Sequence, residues 1–358
     1  MPGDITDDLI RTTYSNLENP SWWRSLNADG VVLYAWGKPQ YTKIAKAIHA
    51  SGALLVSSID GSALLSPYRH FFAYTNLLYF RNISQKGLFL GSVYAFASLT
   101  RALIPQFFDK KRLRHLSYAD TVLMVTPQAV DTMKELAAQF GYLSVSKKIS
   151  YAPHPQLADY YYDGRKKDNS IITVGRWAKK DWHQKNPKLL LQSASIFLTY
   201  RPDYTLTIVG TSSDLLMPLV NRYAANVKSQ IELVPFVKPQ DLRELYVKAK
   251  IGLWTSRHEG QQNAAAQALC CGCSVVATNG ISMSCFTHYI SYASGRQSVA
   301  NDPTSLAYSI SLEIDEWDQG MRDAEKISMA WCDEFHSCKV ANRIIKLVGQ
   351  SRNSLKCL

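Results

Sequence analysis

Short apolar runs alternate with longer amphipathic segments along most of this chain. The apolar runs are four to six residues long and rich in Val, Ile and Leu, which is typical of strands buried on both faces. In the segments between them, apolar residues recur at helical spacing. The predicted strands are residues 31–34, 53–56, 121–125, 148–151, 171–174, 204–209, 231–234, 251–254 and 274–277. The predicted helices are residues 42–50, 127–140, 187–200, 241–249, 263–269 and 335–347. This alternation predicts an α/β protein with doubly wound parallel sheets.

A polar, turn-rich stretch interrupts the alternation between residues 153 and 169. It contains Pro153, Pro155 and Gly164, residues that favour turns over regular elements. Because 358 residues exceed what one ordinary core accommodates, we predict two domains. The N-terminal domain comprises residues 1–155 and the C-terminal domain residues 156–334, followed by a helix-bearing segment, residues 335–358.

The composition describes a globular protein with a basic surplus. Hydrophobic residues make up 46% and charged residues 19%, which argues against a disordered chain. Forty Lys and Arg against 29 Asp and Glu give a net charge of +11, which favours an anionic partner such as a nucleotide or an acidic lipid surface. Alternatively, the surplus serves only solubility. The basic residues are scattered and no recognition motif is present, so no nucleic-acid partner is expected.

Seven cysteines cannot form an even disulfide framework, and no signal-like segment opens the chain, so we expect a reducing cytoplasm. Cys270, Cys271 and Cys273 could suggest a soft metal site. No second ligand pair or His follows at metal-ligand spacing, so small buried residues are the favoured interpretation and no metal is predicted. The apolar, uncharged stretch of residues 87–100 is shorter than the roughly 20 residues that span a bilayer.

The most informative motif is the start of the alanine-rich helix predicted over residues 263–269. Glu259 and Gly260 lie just before it, where an apolar strand ends. A helix start offers free N–H groups and a positive dipole end, which suit a phosphate. Glu259 and Gln267 are eight residues apart, slightly over two turns, so we expect both on one side of the site. The motif predicts a nucleotide-linked ligand.

Two cations follow the first strand of the C-terminal domain. Gly175 and Arg176 come directly after residues 171–174, and Lys185 precedes the next predicted helix. Guanidinium and ammonium groups offset charge that develops on a leaving phosphate, so the two could clamp a diphosphate. Alternatively, they only solvate a loop.

The next two strands also end in candidate contacts. Gly210 closes residues 204–209, and a residue without Cβ lets a ligand approach the backbone. Phe236 and Val237 follow residues 231–234 and could flank a nucleobase, although apolar loop residues are equally ordinary.

The order of these pieces is distinctive. Strand-Gly-Arg, Lys before a helix, strand-Gly, Pro-Phe-Val, Asp-Leu-x-x-Leu-Tyr, Ser-x-x-Glu-Gly and Cys-Gly-x-x-Val-Val-Ala-Thr follow one another over about a hundred residues. This order resembles the nucleotide-sugar domain of retaining GT-B glycosyltransferases of glycosyltransferase family 4. The resemblance is strong over residues 171–278, moderate over 119–155 and 301–348, and weak before 119. It implies two Rossmann-like domains facing a cleft, with residues 335–358 crossing back to the first.

The resemblance also implies roles for individual residues. Arg176 and Lys185 would neutralise the leaving diphosphate, and Glu259, the first Glu of the family's E-x₇-E motif, would contact the donor sugar. Gln267 stands where the family has a second Glu that binds the ribose, so donor affinity or choice is expected to differ. In the insertion at residues 177–184, Lys180 or His183 could share the clamp. The implied donor-binding set is Gly175, Gly210, Phe236, Val237, His258, Gly260, Gln261, Gln262, Asn263 and Gln267.

The implied activity is metal-independent, retaining transfer of a sugar from a nucleoside diphosphate, UDP or GDP, to an acceptor hydroxyl. No cofactor is expected. The acceptor would be a glycan or lipid-linked glycan of surface polysaccharide synthesis. Two other functions stay open: a nucleotide-sugar epimerase, which would need a carboxylate-rich site, and a non-catalytic GT-B-like partner subunit, which would bind donor poorly.

The first half departs from the family. Residues 1–28 contain no glycine-rich loop, so we expect a shortened or rearranged first domain, whose opening strand could be absent. Asp60 and Gly61 occupy the place of an acceptor-side motif, or simply form a turn. Residues 86–115 combine an apolar stretch with basic residues, which implies docking on an anionic membrane by a peripheral cytoplasmic protein, or else a core helix with a solvated charge run.

Overall fold

The structure is a computed structural model that describes residues 10–34, 37–59, 71–104 and 109–356. Its strands are β1 Gly30–Tyr34, β2 Leu54–Ile59, β3 Thr121–Met124, β4 Ile149–Tyr151, β5 Asp168–Val174, β6 Thr205–Val209, β7 Ile231–Val234, β8 Ala249–Trp254, β9 Ser274–Ala277 and β10 Gly295–Gln297. Its helices are α1 Tyr14–Leu17, α2 Pro20–Ser25, α3 Thr42–Ser51, α4 Phe71–Lys86, α5 Leu88–Leu103, α6 Asp109–Leu116, α7 Pro127–Gln139, α8 Leu143–Lys148, α9 Trp182–Lys185, α10 Pro187–Tyr200, α11 Met217–Val220, α12 Ala225–Lys228, α13 Pro239–Lys248, α14 Asn263–Cys270, α15 Ser284–Tyr289, α16 Pro303–Asp318, α17 Ala324–Phe335 and α18 Ser337–Lys356. The strands form two parallel sheets, so the predicted α/β architecture is confirmed.

The second sheet has the strand order β10-β9-β8-β5-β6-β7. Side chains alternate between its faces, so on β8 Ile251 and Leu253 pack toward α10 and α16, whereas Trp254 packs toward α14 and α17. Both faces are therefore covered by helices. The chain reverses its direction of travel between β5 and β8, and such a switch point opens a crevice at the carboxyl ends of the strands.

The first sheet is simpler, with four strands in the order β1-β2-β3-β4. Leu55 and Val122 on one face pack against α3 and α7. The opposite face, with Val56 and Leu123, is covered by Ile344, Leu347 and Val348 of α18. In the described residues before Gly30, α1 and α2 occur and no strand does. In the described residues, the first sheet therefore begins with β1.

Helices α4 and α5 form a hairpin, and α4 contacts α9 of the second domain. The turn between them is Gly87, at a φ of 81°, and Gly91 lets the two helices pack closely, because a Cβ there would collide with the Ile83 backbone. The hairpin exposes large apolar side chains, with Leu88 71% and Phe89 81% exposed. These exposures contradict the alternative of a core helix at this place. Within the described residues, no helix is long and apolar enough to cross a membrane.

Candidate active site

A cavity of about 480 Å³ opens at the carboxyl ends of β5, β6 and β7, facing the start of α14. It lies at the switch point of the second sheet, where α/β proteins bind their ligands. Most of the residues predicted for donor binding meet here. The predicted residues that line it are Gly175, Arg176, Lys185, Gly210, Phe236, Val237, Glu259, Gln261, Gln262 and Asn263.

The floor of the cavity requires glycine. Gly210 has a φ of 133°, and a Cβ there would overlap the carbonyl oxygen of Gly175 on the neighbouring strand. Only glycine adopts this conformation without strain and permits so close an approach. The two strand ends therefore leave bare backbone beside the ligand space.

A buried ion pair forms the centre of the site. Lys185 Nζ lies 2.6 Å from Glu259 Oε1, and the two side chains are only 9% and 7% exposed. Gln262 donates an amide hydrogen bond to Glu259 Oε1 (3.1 Å), and Gln184 donates one to Oε2 (3.4 Å). The backbone N–H of Glu259 also donates to the carbonyl of Ser282. Since each carboxylate oxygen has a donor, the Glu259 side chain is fixed in position.

The insertion at residues 177–184 aims Lys185 into the cavity. Trp177 is buried and donates its indole N–H to Val209, and Trp182 donates to the carbonyl of Trp177. Helix α9 then stops at Asn186, a left-handed residue with φ 49° and ψ 55°, and Pro187 starts α10. This sharp change of direction leaves Lys185 at the end of a short helix, facing Glu259.

The two alternative clamp residues do not join it. Lys180 is exposed, and neither Lys180 nor His183 lines the cavity. The His183 ring instead stacks on Phe80 of α4, with ring centroids 5.3 Å apart. Burial and the nearby Arg257 lower the pKa of His183. Of the predicted clamp residues, Arg176 and Lys185 are therefore the two that line this cavity.

Positive charge faces the cavity from two further sources. The Arg176 side chain is 66% exposed, and its only ion-pair partner in the described chain is Asp181 at 3.6 Å, so its guanidinium can turn to a ligand. The N-cap residue of α14, Gln262, makes no side-chain capping hydrogen bond, which leaves the N–H groups of Asn263 and Ala264 to a ligand or water. Together with Lys185, these groups form an anion-binding wall.

Gln267 does not line the cavity, although the sequence predicted it beside Glu259. Its amide donates to Gln156 Oε1 (3.0 Å), and Gln156 donates in turn to Asn263 Oδ1 (3.2 Å). The Gln261 side-chain amide makes two hydrogen bonds to the backbone of His154, accepting one from its N–H and donating one to its carbonyl. This amide network ties the segment between the two sheets to the start of α14. Nothing in the local sequence around Gln156 signals its place here.

A second cavity, of about 590 Å³, lies on the other side of the Glu259 loop. His258, predicted for donor binding, lines this second cavity and not the first one, because successive residues of the loop turn to opposite sides. Burial lowers the pKa of His258 to about 4, with His183, Arg81 and Lys185 adding to the effect, so the imidazole is neutral at pH 7. Gly260 lines neither cavity.

Cysteines cluster away from both cavities. Cys270, Cys271 and Cys273 are fully buried, as expected for small core residues. The Sγ atoms of Cys270 and Cys332 and a ring nitrogen of His336 lie within 4.8 Å of one another. Spacing in the sequence could not reveal this, because more than 60 residues separate Cys270 from the other two. Three such groups are one short of the four ligands of a structural zinc site.

Some residues that line the first cavity were not predicted from the sequence, and some predicted residues lie outside the described part of the chain. Gln184 and Thr211 line the first cavity without belonging to any predicted motif, whereas Leu242, which also lines it, belongs to the Asp-Leu-x-x-Leu-Tyr motif. Asp60 and Gly61, predicted on the acceptor side, lie outside the described residues.

Known proteins resemble this chain in sequence pattern and in fold. Residues 168–311 match the family model described as "Glycosyl transferases group 1". A search of curated proteins finds no match. HepE from Anabaena, solved with UDP-glucose, superposes with a TM-score of 0.55 at 14% identity, covering 91% of this chain and 79% of HepE. The lipopolysaccharide outer core galactosyltransferase WaaB gives 0.58 at 15% identity, over 92% and 78% of the two chains.

A third structure extends the same comparison. Sucrose-phosphate synthase from Thermosynechococcus elongatus has a TM-score of 0.58 at 15% identity, over 97% of this chain and 82% of its own. Over residues 168–311 this chain therefore matches the group 1 glycosyl transferase model, and its two parallel-sheet domains have the GT-B fold of these structures.

Proposed function

We propose that this protein is a retaining, metal-independent GT-B glycosyltransferase of glycosyltransferase family 4. It transfers a sugar from a nucleoside diphosphate to a glycan or lipid-linked glycan in surface polysaccharide synthesis. The observation that carries the proposal is the buried Lys185–Glu259 pair, which faces Arg176 and the open start of α14 in one cavity. The match to the group 1 glycosyl transferase model and the UDP-glucose bound by HepE support it.

The cationic and anionic groups of the cavity bind different parts of the donor. The diphosphate binds against Arg176, Lys185 and the first N–H groups of α14, because these are the positive groups of the cavity. As the bond to the sugar breaks, negative charge grows on the leaving phosphate, and the fixed cations stabilise it without reorganisation. Glu259 accepts hydrogen bonds from hydroxyls of the donor sugar, while Lys185 holds the carboxylate in place.

Retention is part of the proposal, and the carboxylates of the cavity bear on which retaining mechanism fits it. Among the described residues lining the cavity, Glu259 is the only Asp or Glu, and its oxygens are engaged by Lys185, Gln184 and Gln262. A double displacement needs a free carboxylate nucleophile and a second carboxyl group. The acceptor therefore attacks from the face of the leaving group, whose phosphate takes the acceptor proton. The described lining residues therefore do not form the carboxylate-rich site that a nucleotide-sugar epimerase would need.

Donor binding gives the first test. In a thermal-shift screen against UDP, GDP and ADP, at least one nucleoside diphosphate should raise the melting temperature, because a ligand that binds only the folded state stabilises it. Arg176→Ala should weaken the Kd for that nucleotide about 10- to 100-fold by calorimetry, the loss of a charge-assisted hydrogen bond.

The matched control is Lys180→Ala, which removes a cation of the same insertion that does not line the cavity. It should leave the Kd unchanged. If none of the three nucleotides binds, or purified protein with excess donor neither transfers nor hydrolyses the sugar, the protein is the non-catalytic partner subunit and not the enzyme.

We also propose that the α4–α5 hairpin docks on an anionic membrane. Its tip presents Leu88 and Phe89, and α5 adds Val93 and Phe96, 54% and 70% exposed. Lys86 lies beside these apolar residues, its ammonium 4.3 Å from the centre of the Tyr94 ring. Exposed apolar residues beside a cation suit the boundary between acyl chains and anionic headgroups. Such docking would bring a lipid-linked acceptor to the enzyme.

Vesicle binding tests this surface. The protein should sediment with vesicles that contain anionic phosphatidylglycerol and much less with neutral phosphatidylcholine vesicles. Phe89→Ser with Phe96→Ser should lower the partition coefficient roughly 100-fold, since each phenyl group contributes about 1.5 kcal/mol. The control, Tyr200→Ser with Tyr308→Ser, removes two exposed aromatic rings elsewhere and should bind like the wild type. Equal binding of both double variants would refute the docking proposal.

A further inference from the structure

Three side chains of metal-ligating type meet in the second domain, outside both cavities. The Sγ atoms of Cys270 and Cys332 and a ring nitrogen of His336 all lie within 4.8 Å of one another. None of the three residues lines either cavity. Cys270 is fully buried, whereas Cys332 and His336 are half-buried. The cluster is therefore closed on the side of the core and can be reached from solvent on the other.

Two packed helices bring these side chains together. Cys270 is the last residue of α14, and α17 packs against that helix. Cys332 and His336 are four residues apart, in the last turn and at the C-cap of α17, so they lie on one face of the helix. The backbone N–H of His336 donates to the carbonyl of Cys332, which holds the two in that register. Ligands four residues apart on a helix are a known arrangement for chelating a metal.

Hydrogen bonds already orient two of the three groups. His336 Nε2 lies 2.8 Å from the carbonyl oxygen of Tyr160, which only accepts, so Nε2 carries the hydrogen and Nδ1 of the neutral ring keeps its lone pair. Metal-bound imidazoles usually donate their second N–H to a carbonyl in this way. Hydrogen bonds from the Cys270 thiol and from His336 lower the pKa of Cys332, which favours the thiolate form that binds metals.

We infer that Cys270, Cys332 and His336 bind one zinc ion. Two thiolates and an imidazole suit zinc, whereas Mg²⁺ and Ca²⁺ select oxygen ligands. The two negative thiolates balance the charge of Zn²⁺, so the loaded site is neutral, which suits its burial. A water molecule from the solvent side completes the tetrahedron as the fourth ligand.

The spacing of the three groups fits this ion. With Zn–S bonds of about 2.3 Å and a Zn–N bond of about 2.0 Å, two ligand atoms of one tetrahedral site lie roughly 3.5–3.8 Å apart. Atoms that already lie within 4.8 Å of one another need to approach by roughly 1 Å. Rotation of the Cys332 and His336 side chains supplies this movement, because neither is fully enclosed by the core.

The ion would join two elements that meet near the domain junction. Helix α14 begins at the first cavity and ends at Cys270. His336 links α17 to α18, and the backbone groups of Phe335 and Ser337 on either side of it bond to Gln156, in the segment between the two sheets. Zinc therefore fastens the end of α14 to the point where the chain turns back toward the first domain. This role is structural and takes no part in the proposed transfer reaction.

Metal titration of the full chain tests the inference. The purified protein is reduced with a phosphine, freed of metal with a chelator and exchanged into chelator-free buffer. It is then titrated with Cd²⁺, whose bonds to thiolates absorb in the ultraviolet, and with Zn²⁺ in competition. One equivalent of Cd²⁺ should saturate the absorption, and Zn²⁺ should displace it. Zn²⁺ should also raise the melting temperature, because it binds the folded state.

Two variants locate the ion. Cys332→Ser and His336→Gln each remove one ligand and should raise the Kd for Zn²⁺ by about 100-fold or more, beyond the effect of losing a residue that only supports a ligand. The second variant keeps an amide that can donate to the carbonyl of Tyr160. The matched control is Cys338→Ser, which removes an exposed thiol of α18 outside the cluster and should bind like the wild type. Melting of the metal-free variants shows whether they fold.

Each contrary result has its own meaning. A wild type that shows no thiolate absorption with Cd²⁺ would overturn the inference. Equal zinc affinity of Cys332→Ser and Cys338→Ser would overturn it as well, because the ion would then lie elsewhere. Unchanged affinity in His336→Gln would refute the three-ligand site. In all these cases, a nucleoside diphosphate that still binds in the thermal-shift screen would leave the proposed function standing, since the two sites share no residue.

Discussion

Glu259→Gln should lower kcat/KM for sugar transfer by about 10²- to 10³-fold, the usual effect of removing one preorganised group that stabilises the transition state. The replacement keeps the shape and one acceptor oxygen, but it removes the charge that holds Lys185 and one of the acceptors available to donor hydroxyls. The measurement is the initial rate of nucleoside diphosphate release in the presence of acceptor.

The matched control is Glu232→Gln, at an exposed position of β7 that lines neither cavity. It should keep wild-type activity. The melting temperature of both variants should be measured alongside, so that a lost fold is not read as lost catalysis. A folded Glu259→Gln protein with near-normal turnover would exclude Glu259 from the reaction and with it the proposed function.

Most residues that line the first cavity could be predicted from the sequence, because each group of them directly follows one strand. Gly175 and Arg176 follow directly on one strand, and Glu259 to Asn263 join the end of another strand to α14. Parallel strands present their carboxyl ends at one edge of a sheet, so residues that follow different strands meet without any knowledge of distant contacts. Recognising the strands was therefore enough to predict these lining residues.

The rest of the site depends on contacts between segments far apart in the chain. Gln156 bonds to Gln267 across 111 residues, and Phe80 stacks on His183 across about a hundred. No periodicity or spacing encodes such pairs. Gln267 illustrates the consequence, because helical spacing placed it near Glu259, whereas its actual partner comes from the segment between the two sheets. The prediction that His258 lies on the same side as Glu259 differs from the structure for a related reason. A loop has no periodicity that assigns its residues to one side.

The fold shows the same division between local and distant information. The predicted strands and helices follow from the apolar pattern, and all of them are present. The second face of the first sheet, however, is closed by α18 from the far end of the chain. The apolar residues of β2 and β3 show that both faces are buried, but nothing in their pattern says which helix covers each one.

Lys185→Met should cost about 3 kcal/mol of folding free energy, and lower the melting temperature by roughly 6–12 °C, because it leaves the buried Glu259 carboxylate without its counter-charge. The value stands at the lower end of such effects, since Gln184 and Gln262 still donate to the carboxylate. Transfer should fall by at least 100-fold, because the same ammonium stabilises the leaving phosphate. Thermal melting and initial rates check the two effects.

The double variant Lys185→Met with Glu259→Gln separates the two roles. Removing both charges relieves the unpaired carboxylate, so the melting temperature should return most of the way to the wild-type value. Activity should stay as low as in the Lys185→Met variant, since neither the cation nor the carboxylate is restored. If the double variant melts no higher than Lys185→Met alone, the Lys185–Glu259 pair does not couple energetically, and Lys185 contributes to stability through its packing rather than its charge.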